Sequence, residues 1–433
     1  MPRSLPPSPS LETLREQARA LRRAHKHGDA SCCAALRCLD RLKDRTNAEI
    51  FGAEICLQEC QHALARDYGS TNWAALKKEV LGKSGPATLL HVLWSDIMAD
   101  VLRASTAPGE IIVWRDLGAY APTPADDTTM AAMHAQILVD DGYFGTIQAA
   151  LQARTGAEKR LAEFHTYDDV VLWFDPCLYD HVILVQRLDW FSRQDLRGTR
   201  LSLVCVRENL GRNTPDELVG LLDQREPIGR AQLELGVKGW EAYRSPVPTA
   251  VERLLRTDTS ALPGLAPAFT DHLERFPSTI DGLGAVDRAV LEHASRLGTT
   301  RLSQLIGSSL GELSYLSDTL AATHAREMTF CRHPLLRLRN ATEWPATYEG
   351  EIEITPLGRE VLAGTADVVK LNGIDRWLGG VHLMGPDAQW RWDPEHRKLV
   401  EFSRAPVFEA VETGDLPAVR QWAQDCRCGV GPR

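Results

Sequence analysis

Three segments of this chain repeat one pattern, an apolar and largely β-branched run that closes on Trp-x-Asp. They are Leu89–Asp96, Glu110–Asp116 and Asp169–Asp175, with the sequences LLHVLWSD, EIIVWRD and DVVLWFD. A short, continuous apolar run bounded by polar residues is typical of a strand that is buried on both faces, as in a parallel sheet covered by helices. The pattern therefore predicts an α/β fold with a Rossmann-like, mostly parallel sheet.

The aspartates that close these runs fall at the carboxyl ends of the predicted strands, the edge at which open α/β sheets bind ligands. We therefore expect Asp96, Asp116 and Asp175 to converge on one crevice. Carboxylates that share a crevice repel one another unless protons or a cation neutralise them, which favours Mg²⁺ as a cofactor. Asp180 is predicted as a further oxygen ligand of this metal, and Ser95 together with Asp96 as the cofactor-binding turn.

A metal in this crevice would activate water or hold a phosphate group. In that hypothesis Asp116 and Asp175 are catalytic, His181 acts as an acid or base, and Cys177 is a thiol whose pKa a helix N-terminus lowers. Each residue also has a purely structural interpretation. Asp96 and Asp175 can cap helices, the tryptophans can pack in the core, and Cys177 can be a small buried side chain.

The length of 433 residues predicts several domains. We predict a helical domain over 1–84, a Rossmann-like domain over 86–210, a helical connector over 211–284, a winged-helix-like domain over 285–400 and an ankyrin-like helical hairpin over 404–433. The Pro/Ser-rich residues 1–10 are predicted to be disordered. Between the second and third strands, one helical stretch is expected over 127–165.

The winged-helix-like prediction raises the question of DNA binding. A recognition helix within 311–324 would carry Glu312 and Asp318 and no Lys or Arg, although Arg337 and Arg339 form a basic stretch beyond it. With a net charge of −9 for the whole chain, DNA is a disfavoured partner, and packing or protein contacts are the alternative.

Cellular location is predicted from what the sequence lacks. Its N-terminus has no apolar core of a signal peptide, and no run approaches the roughly 20 apolar residues of a membrane span. The ten cysteines form no paired C-x-x-C motifs, which favours free thiols in a cytoplasmic protein. A metal site that joins Cys56 and Cys60 to Cys32, Cys33 or Cys38 is the alternative.

Several motifs resemble a bacterial family known as domain of unknown function 1835. They are LHVLWSD, GEIIVWRDLGAYAP, VVLWFDPCLYDHVIL, HLERFPSTIDGL, ITPLGREVL and GIDRWLGGVHL, within residues 88–393. The resemblance implies a Rossmann-like domain joined to a C-terminal helical part, and it transfers no catalytic residue. The chain has Trp94-Ser95-Asp96 where the family frequently has Asn-Gly-Asp, which removes the glycine best suited to approach a phosphate. The N-terminal segment is similar to a helical region often found ahead of ankyrin-like domains.

The leading functional prediction is the binding of a small phosphorylated or nucleotide-like ligand at the carboxyl edge of the sheet, with metal-assisted phosphoester chemistry as its extension. Two alternatives stay open. One is a non-enzymatic regulator or scaffold that uses the winged-helix-like domain for DNA or protein contacts. The other is an accessory protein that acts on a peptide partner. A membrane is not among the expected partners.

Overall fold

The computed structural model describes residues 11–73, 75–76, 80, 88–205, 210–345 and 347–402. The chain divides into two compact units, Met1–Thr88 and Leu89–Arg433. The predicted disorder over 1–10 and the predicted ankyrin-like hairpin over 404–433 lie outside the described residues. In the part of the chain that is described, no helix combines the length and apolarity needed to cross a bilayer.

The first unit is helical. Its helices are α1 Leu11–Lys26, α2 Cys33–Leu36, α3 Asn47–Phe51 and α4 Leu57–Asp67. Cys32, Cys33 and Cys60 are buried as free thiols in its core beside Leu36 and Ile50. Among the described residues, no group of three or more His, Cys, Asp or Glu side chains could hold a metal ion. The buried Cys32, Cys33 and Cys60 therefore act as small apolar side chains, and the alternative of a cysteine metal site is wrong.

The second unit is built on a five-stranded sheet in which the strands follow the order β2-β1-β3-β4-β5. These strands are β1 Leu89–Leu93, β2 Glu110–Val113, β3 Asp169–Trp173, β4 Arg200–Val204 and β5 Glu226–Pro227. The first four are parallel, and β5 pairs antiparallel with β4. Every residue of β1 and β3 is buried, which is why both read as continuous apolar runs. The expected mostly parallel α/β sheet is confirmed, and it is consistent with a Rossmann-like core.

Five helices connect or flank these strands. They are α5 Asp96–Ala104, α6 Asp127–Asp140, α7 Ile147–Ala162, α8 Leu178–Ser192 and α9 Pro215–Asp223. The helical stretch predicted over 127–165 is helical over most of its length and is divided between two helices, α6 and α7. Gly142, with φ of +79°, follows the end of α6 in a left-handed conformation that favours glycine. Gly145 lies in the same loop.

The two faces of the sheet pack against different clusters. On one face Leu93, Met98 and Trp173 form a cluster with residues of α9. The larger cluster is a single group of contacting side chains that includes residues from Leu90 to Leu399 and most of α8. The segments predicted as connector and C-terminal domain therefore share a core with the sheet.

The chain after the sheet is mainly helical and ends in β-hairpins. Its helices are α10 Arg230–Tyr243, α11 Thr249–Leu255, α12 Leu265–Glu274, α13 Ala285–Leu297, α14 Leu302–Ser309, α15 Asp318–Phe330, α16 Pro356–Leu362 and α17 Val368–Asn372. Its strands are β6 Thr300–Arg301, β7 Leu336–Arg339, β8 Glu351–Ile354, β9 Ile374–Leu378, β10 Val381–Gly385, β11 Trp390–Asp393 and β12 Lys398–Glu401. Strands β6, β8 and β7 form a small antiparallel sheet in that order, and β9–β10 and β11–β12 pair as hairpins.

Candidate functional site

The turn after β1 is engaged in helix capping and a surface ion pair. The Ser95 hydroxyl accepts a hydrogen bond from the Met98 amide at 3.3 Å, so Ser95 is the N-cap of α5. Asp96 is the first helical residue, and its exposed carboxylate binds the Arg115 guanidinium through contacts of 2.6 and 3.1 Å. The side chains predicted to bind a cofactor are thus satisfied by the protein, and the suggested capping role belongs to Ser95 instead of Asp96.

The carboxylates predicted to share a metal are not arranged as a metal site. Asp96 pairs with Arg115, Asp116 faces cations of its own, and only Asp175 and Asp180 lie close together. No described group of His, Cys, Asp and Glu side chains could hold a metal ion. The prediction of a metal bound by Asp96, Asp116, Asp175 and Asp180 is therefore wrong, because Asp96 and Asp116 each face cations of the protein and do not join Asp175 and Asp180 in one group.

The crevice between β1 and β3 is the topological switch point of this sheet. On one side of it the strand order continues from β1 to β2, and on the other side it continues from β3 to β4. The Asp180 carboxylate is buried there and accepts hydrogen bonds from Trp94 Nε1 at 2.8 Å and the Asp175 amide at 2.9 Å. The Cys177 thiol donates to its other oxygen at 3.2 Å. Burial and the nearby Asp175 raise the pKa of Asp180 to about 7, against the effect of these donors. Asp175 itself accepts a hydrogen bond from the Leu210 amide at 2.8 Å.

Cys177 and His181 have surroundings that do not suit catalysis. Burial and the Asp180 carboxylate raise the pKa of the Cys177 thiol, so the predicted lowering by the helix N-terminus is wrong. His181 is buried, and burial lowers its pKa to about 4. Its imidazole packs directly on Gly264, where an added Cβ would approach the ring to 2.4 Å. Neither side chain has the access that a nucleophile or an acid–base group needs.

Asp116 lies just beyond β2 in a turn that fixes its position. Its amide donates to the Trp114 carbonyl at 2.9 Å, and the Gly118 amide donates to its Oδ1 at 3.3 Å. The Tyr179 hydroxyl donates to the Asp116 carbonyl. Gly118 has φ of +49°, and a Cβ there would lie 2.9 Å from the Tyr179 carbonyl oxygen, so this turn requires glycine.

The buried carboxylate of Asp116 is surrounded by positive charge. His134 Nδ1 lies 3.2 Å from Oδ1, and Arg154 Nη1 lies 3.8 Å from Oδ2. Burial favours the neutral acid, but His134, Arg154 and Arg187 together hold the pKa of Asp116 well below its ordinary value. Burial lowers the pKa of Arg187 to about 10, which leaves its guanidinium charged near neutrality.

His134 has acceptors beside both of its ring nitrogens. Nε2 lies 2.8 Å from the Pro122 carbonyl oxygen, and Nδ1 faces Asp116 at 3.2 Å without the alignment of a hydrogen bond. A carbonyl and an ionised carboxylate only accept hydrogen bonds, so each ring nitrogen of His134 faces an acceptor.

A recess lies next to Asp116, between the end of β2 and the helices α6 and α7. Its inner volume, the space open to the centre of a water-sized sphere, is about 30 Å³, and the total with the open solvent at its mouth is about 500 Å³. The apolar wall consists of Val113, Ala131, Ala135, Leu138, Phe144, Ala150, Leu151, Ala153 and Ala157. Trp114, Arg115, Asp116, His134 and Arg154 complete the lining.

Several buried polar atoms at this recess have no hydrogen-bond partner. They are Trp114 Nε1, Asp116 Oδ2, His134 Nδ1 and, behind the Trp114 ring, Arg187 Nε. The Arg187 guanidinium carbon lies 3.8 Å from the centre of that ring. Buried polar groups are nearly always paired in folded proteins, so unpaired atoms beside a recess can bind the polar groups of a ligand that enters it.

Sequence reasoning identified Asp116 but missed His134, Arg154 and Arg187. These residues lie on α6, α7 and α8, far along the chain from the strand ends. One available signal was Arg187 itself, a charged residue that follows shortly after the apolar run Val182–Val185 in α8. Another was the pair Gly142 and Gly145, which separates the two helices that form the recess.

No protein-family model matches the sequence, and a search of curated proteins finds no match.

Proposed function

We propose that this chain binds a small phosphorylated molecule in the recess beside Asp116. The observation that carries the proposal is a set of buried donors without acceptors, above all Trp114 Nε1, beside a recess that the Arg154 guanidinium also lines. A phosphate group presents several acceptor oxygens together with negative charge, which is what these donors require.

The charges around the recess favour an anion. The guanidinium groups of Arg154 and Arg187, together with the His134 ring, surround the single carboxylate of Asp116. Glu158 also contacts Arg154 at 3.0 Å, but its side chain is half exposed and screened by water. Arg154 lines the recess, so an anionic ligand would pair with its guanidinium there.

The apolar wall indicates the rest of the ligand. Leu138, Phe144 and Leu151 line the recess beside several alanines, a surface that suits a ring or a short aliphatic body. A phosphate at the polar end and an apolar body along the wall describe a phosphorylated aromatic or nucleotide-like molecule. Because the carboxylates share no metal, the proposal is binding and includes no metal-assisted step.

Thermal unfolding with a small set of probes tests this proposal. Phenyl phosphate is expected to raise the melting temperature by a few degrees at saturating concentration. Inorganic phosphate should have a smaller effect, and phenol very little. Arg154→Gln should abolish most of the gain from phenyl phosphate.

Lys159→Gln is the matched control, because it removes one positive charge from the same helix at an exposed position away from the recess lining. It should keep the full gain. An equal response of both variants, or no response of the unmodified chain to any phosphorylated probe, would contradict the proposal.

A second proposal concerns residues 285–354, for which we infer a winged-helix-like unit that makes protein contacts. The order of α13, β6, α14, α15, β7 and β8 and the sheet order β6-β8-β7 support it. DNA binding is disfavoured, because Arg337 and Arg339 both pair with Glu353. The test is salt-dependent association with duplex DNA, which should be absent. Association lost on neutralising both arginines would overturn this assignment.

Membership of the domain of unknown function 1835 family is likewise proposed, on the strand motifs alone.

A further inference from the structure

Arg187 is a buried cation of α8 that lies outside the lining of the recess beside Asp116. Its exposed fraction is 5%. Its Nη2 donates to Gln186 Oε1 at 2.9 Å, and its Nε has no hydrogen-bond partner among the described residues. A buried guanidinium with an unpaired N–H is costly, whereas an apolar side chain of similar length would fill the same space without that cost. The charge at this position is therefore expected to contribute something other than packing.

The Arg187 guanidinium lies over the indole ring of Trp114. Its central carbon is 3.8 Å from the ring centre, within the range of a cation–π interaction. Trp114 directly follows β2, and its amide donates to the Leu93 carbonyl at 2.6 Å, which continues the pairing of β2 with β1. The sheet thus fixes the backbone of Trp114, and the stacked guanidinium restrains the orientation of its ring.

The indole connects this cation to the recess. Trp114 belongs to the lining of the recess, although only 3% of the residue is exposed, and its Nε1 is buried without an acceptor. A cation over an aromatic ring draws electron density toward itself, which makes the ring N–H a stronger hydrogen-bond donor. In addition, the low effective dielectric of a protein interior lets the charge of Arg187 attract an anion that contacts the ring.

We infer that Arg187 is a positioning residue that holds the Trp114 indole for a hydrogen bond to a phosphate oxygen and makes the recess select a doubly charged phosphate ester over a singly charged anion. This inference rests on the proposed function, since it concerns the ligand charge at the same recess. Arg154 lines the recess and pairs with the ligand directly, whereas Arg187 acts through the ring of Trp114.

The experiment compares phenyl phosphate with phenyl sulfate by isothermal titration calorimetry on the full chain. Both probes carry the same ring, but at about pH 8 the phosphate bears mostly two negative charges and the sulfate one. Arg187→Met should weaken phenyl phosphate binding about tenfold and phenyl sulfate binding only about threefold, because the lost charge acts more strongly on the dianion. Arg187→Lys keeps a cation over the ring and should restore most of the preference for phosphate.

A spectroscopic measurement follows the hydrogen bond itself. The Trp114 indole N–H signal in a nitrogen–proton correlation spectrum is assigned by its loss in Trp114→Phe. Because this N–H has no acceptor in the free protein, phenyl phosphate should move the signal downfield, and phenol should not. In Arg187→Met the shift at saturating phenyl phosphate should be smaller, since the ring is no longer held and polarised by the guanidinium.

Arg193→Met is the matched control. Arg193 directly follows the same helix, its side chain is 66% exposed, and it pairs with Asp189 instead of an aromatic ring. The variant should bind both probes like the unmodified chain. If Arg187→Met does not fold, Arg187→Gln provides a neutral side chain that can still form a hydrogen bond with Gln186, and it should show the same narrowed preference.

Two results would overturn the inference while the proposed function stands. One is unchanged phenyl phosphate affinity in the neutral Arg187 variants, although Arg154→Gln abolishes binding. The other is an equal loss for phosphate and sulfate that Arg187→Lys does not rescue, which would assign Arg187 a packing role alone. A Trp114 signal that stays in place while phenyl phosphate binds would also overturn it. If the unmodified chain binds no phosphorylated probe, the proposed function and this inference are both wrong.

Discussion

Asp116 and Asp180 are two buried carboxylates of the same unit, each a few residues beyond a strand that carries the Trp-x-Asp pattern. Their charges are controlled in opposite ways. Asp116 faces His134, Arg154 and Arg187, so its pKa lies well below the ordinary value. Asp180 is surrounded by neutral donors, and burial raises its pKa to about 7.

This difference shows that the strand pattern determines the position of a carboxylate, whereas the helices packed against that carboxylate determine its charge. Asp116 stays ionised across the physiological range and holds several cations in place beside the recess. Asp180 exchanges its proton near neutrality, deep in a crevice that its own donors fill. The first arrangement prepares a site for an anion, whereas the second mainly joins the start of α8 to the end of β1.

The largest expected effect is that of Asp116→Asn on stability. Removing this carboxylate leaves the charges of Arg154 and Arg187 buried without compensation, which typically costs about 3–5 kcal/mol. Denaturant unfolding measures the change. Asp96→Asn is the control, since it breaks an exposed ion pair with Arg115 and should cost less than about 1 kcal/mol. Similar losses in the two variants would remove the contrast between a buried and an exposed carboxylate.

The second prediction concerns the pH dependence of stability. A carboxyl group with a raised pKa binds its proton more tightly in the folded state, so its contribution is full below about pH 4 and is lost as the pH rises to about 7. The free energy of unfolding of the unmodified chain minus that of Asp180→Asn should fall by about 1.4 kcal/mol per pH unit in this window. Taking the difference removes the opposite contribution of His181, whose pKa is lowered to about 4.

Asp116 should behave differently in the same measurement. Its lowered pKa means that its contribution is full above about pH 4 and is lost only as the pH falls further. The free energy of unfolding of the unmodified chain minus that of Asp116→Asn should therefore be flat between about pH 5 and pH 7, above the ordinary titration range of an aspartate. A sloping profile for Asp116 or a flat one for Asp180 would reverse the comparison.

A smaller effect is expected from Trp94→Phe. This substitution keeps an aromatic ring against Tyr179 but removes the Nε1 donor to Asp180, a hydrogen bond worth about 1 kcal/mol. Because that donor lowers the pKa of Asp180, its loss should move the titration of Asp180 above pH 7. The measurement is the pH profile of stability, and a shift toward acid would contradict the assigned hydrogen bond.

The smallest expected effect concerns the chemical reactivity of the Cys177 thiol. The Cys177 thiol is partly buried and its pKa is raised. Iodoacetamide at about pH 8 should therefore leave it unmodified in the folded chain. The exposed Cys56 should react under the same conditions. Mass spectrometry of peptides reads both sites, and rapid modification of Cys177 would show an access that the crevice lacks.

The sheet could be predicted from sequence because its central strands are buried on both faces. The three segments with the strand pattern begin at Leu89, Glu110 and Asp169, which are the first residues of β1, β2 and β3. Strand-forming residues and their flanking polar residues are local in sequence, so the pattern contained this information.

The candidate site could be predicted only in part. Asp116 was placed correctly at a strand end, but the partners that define its charge come from α6, α7 and α8. Their approach depends on packing between distant segments, which no local pattern describes. The metal was predicted because the carboxylates were assumed to face one another, whereas His134 and Arg154 supply the compensating charge for Asp116.

The most direct test of the account is a crystal structure of the chain with phenyl phosphate. We expect the phosphate in the recess, with its oxygens within hydrogen-bond distance of Arg154 and Trp114 Nε1 and the ring beside Leu138 and Phe144. A phosphate bound elsewhere, or a recess filled by water at a concentration that stabilises the chain, would contradict the account.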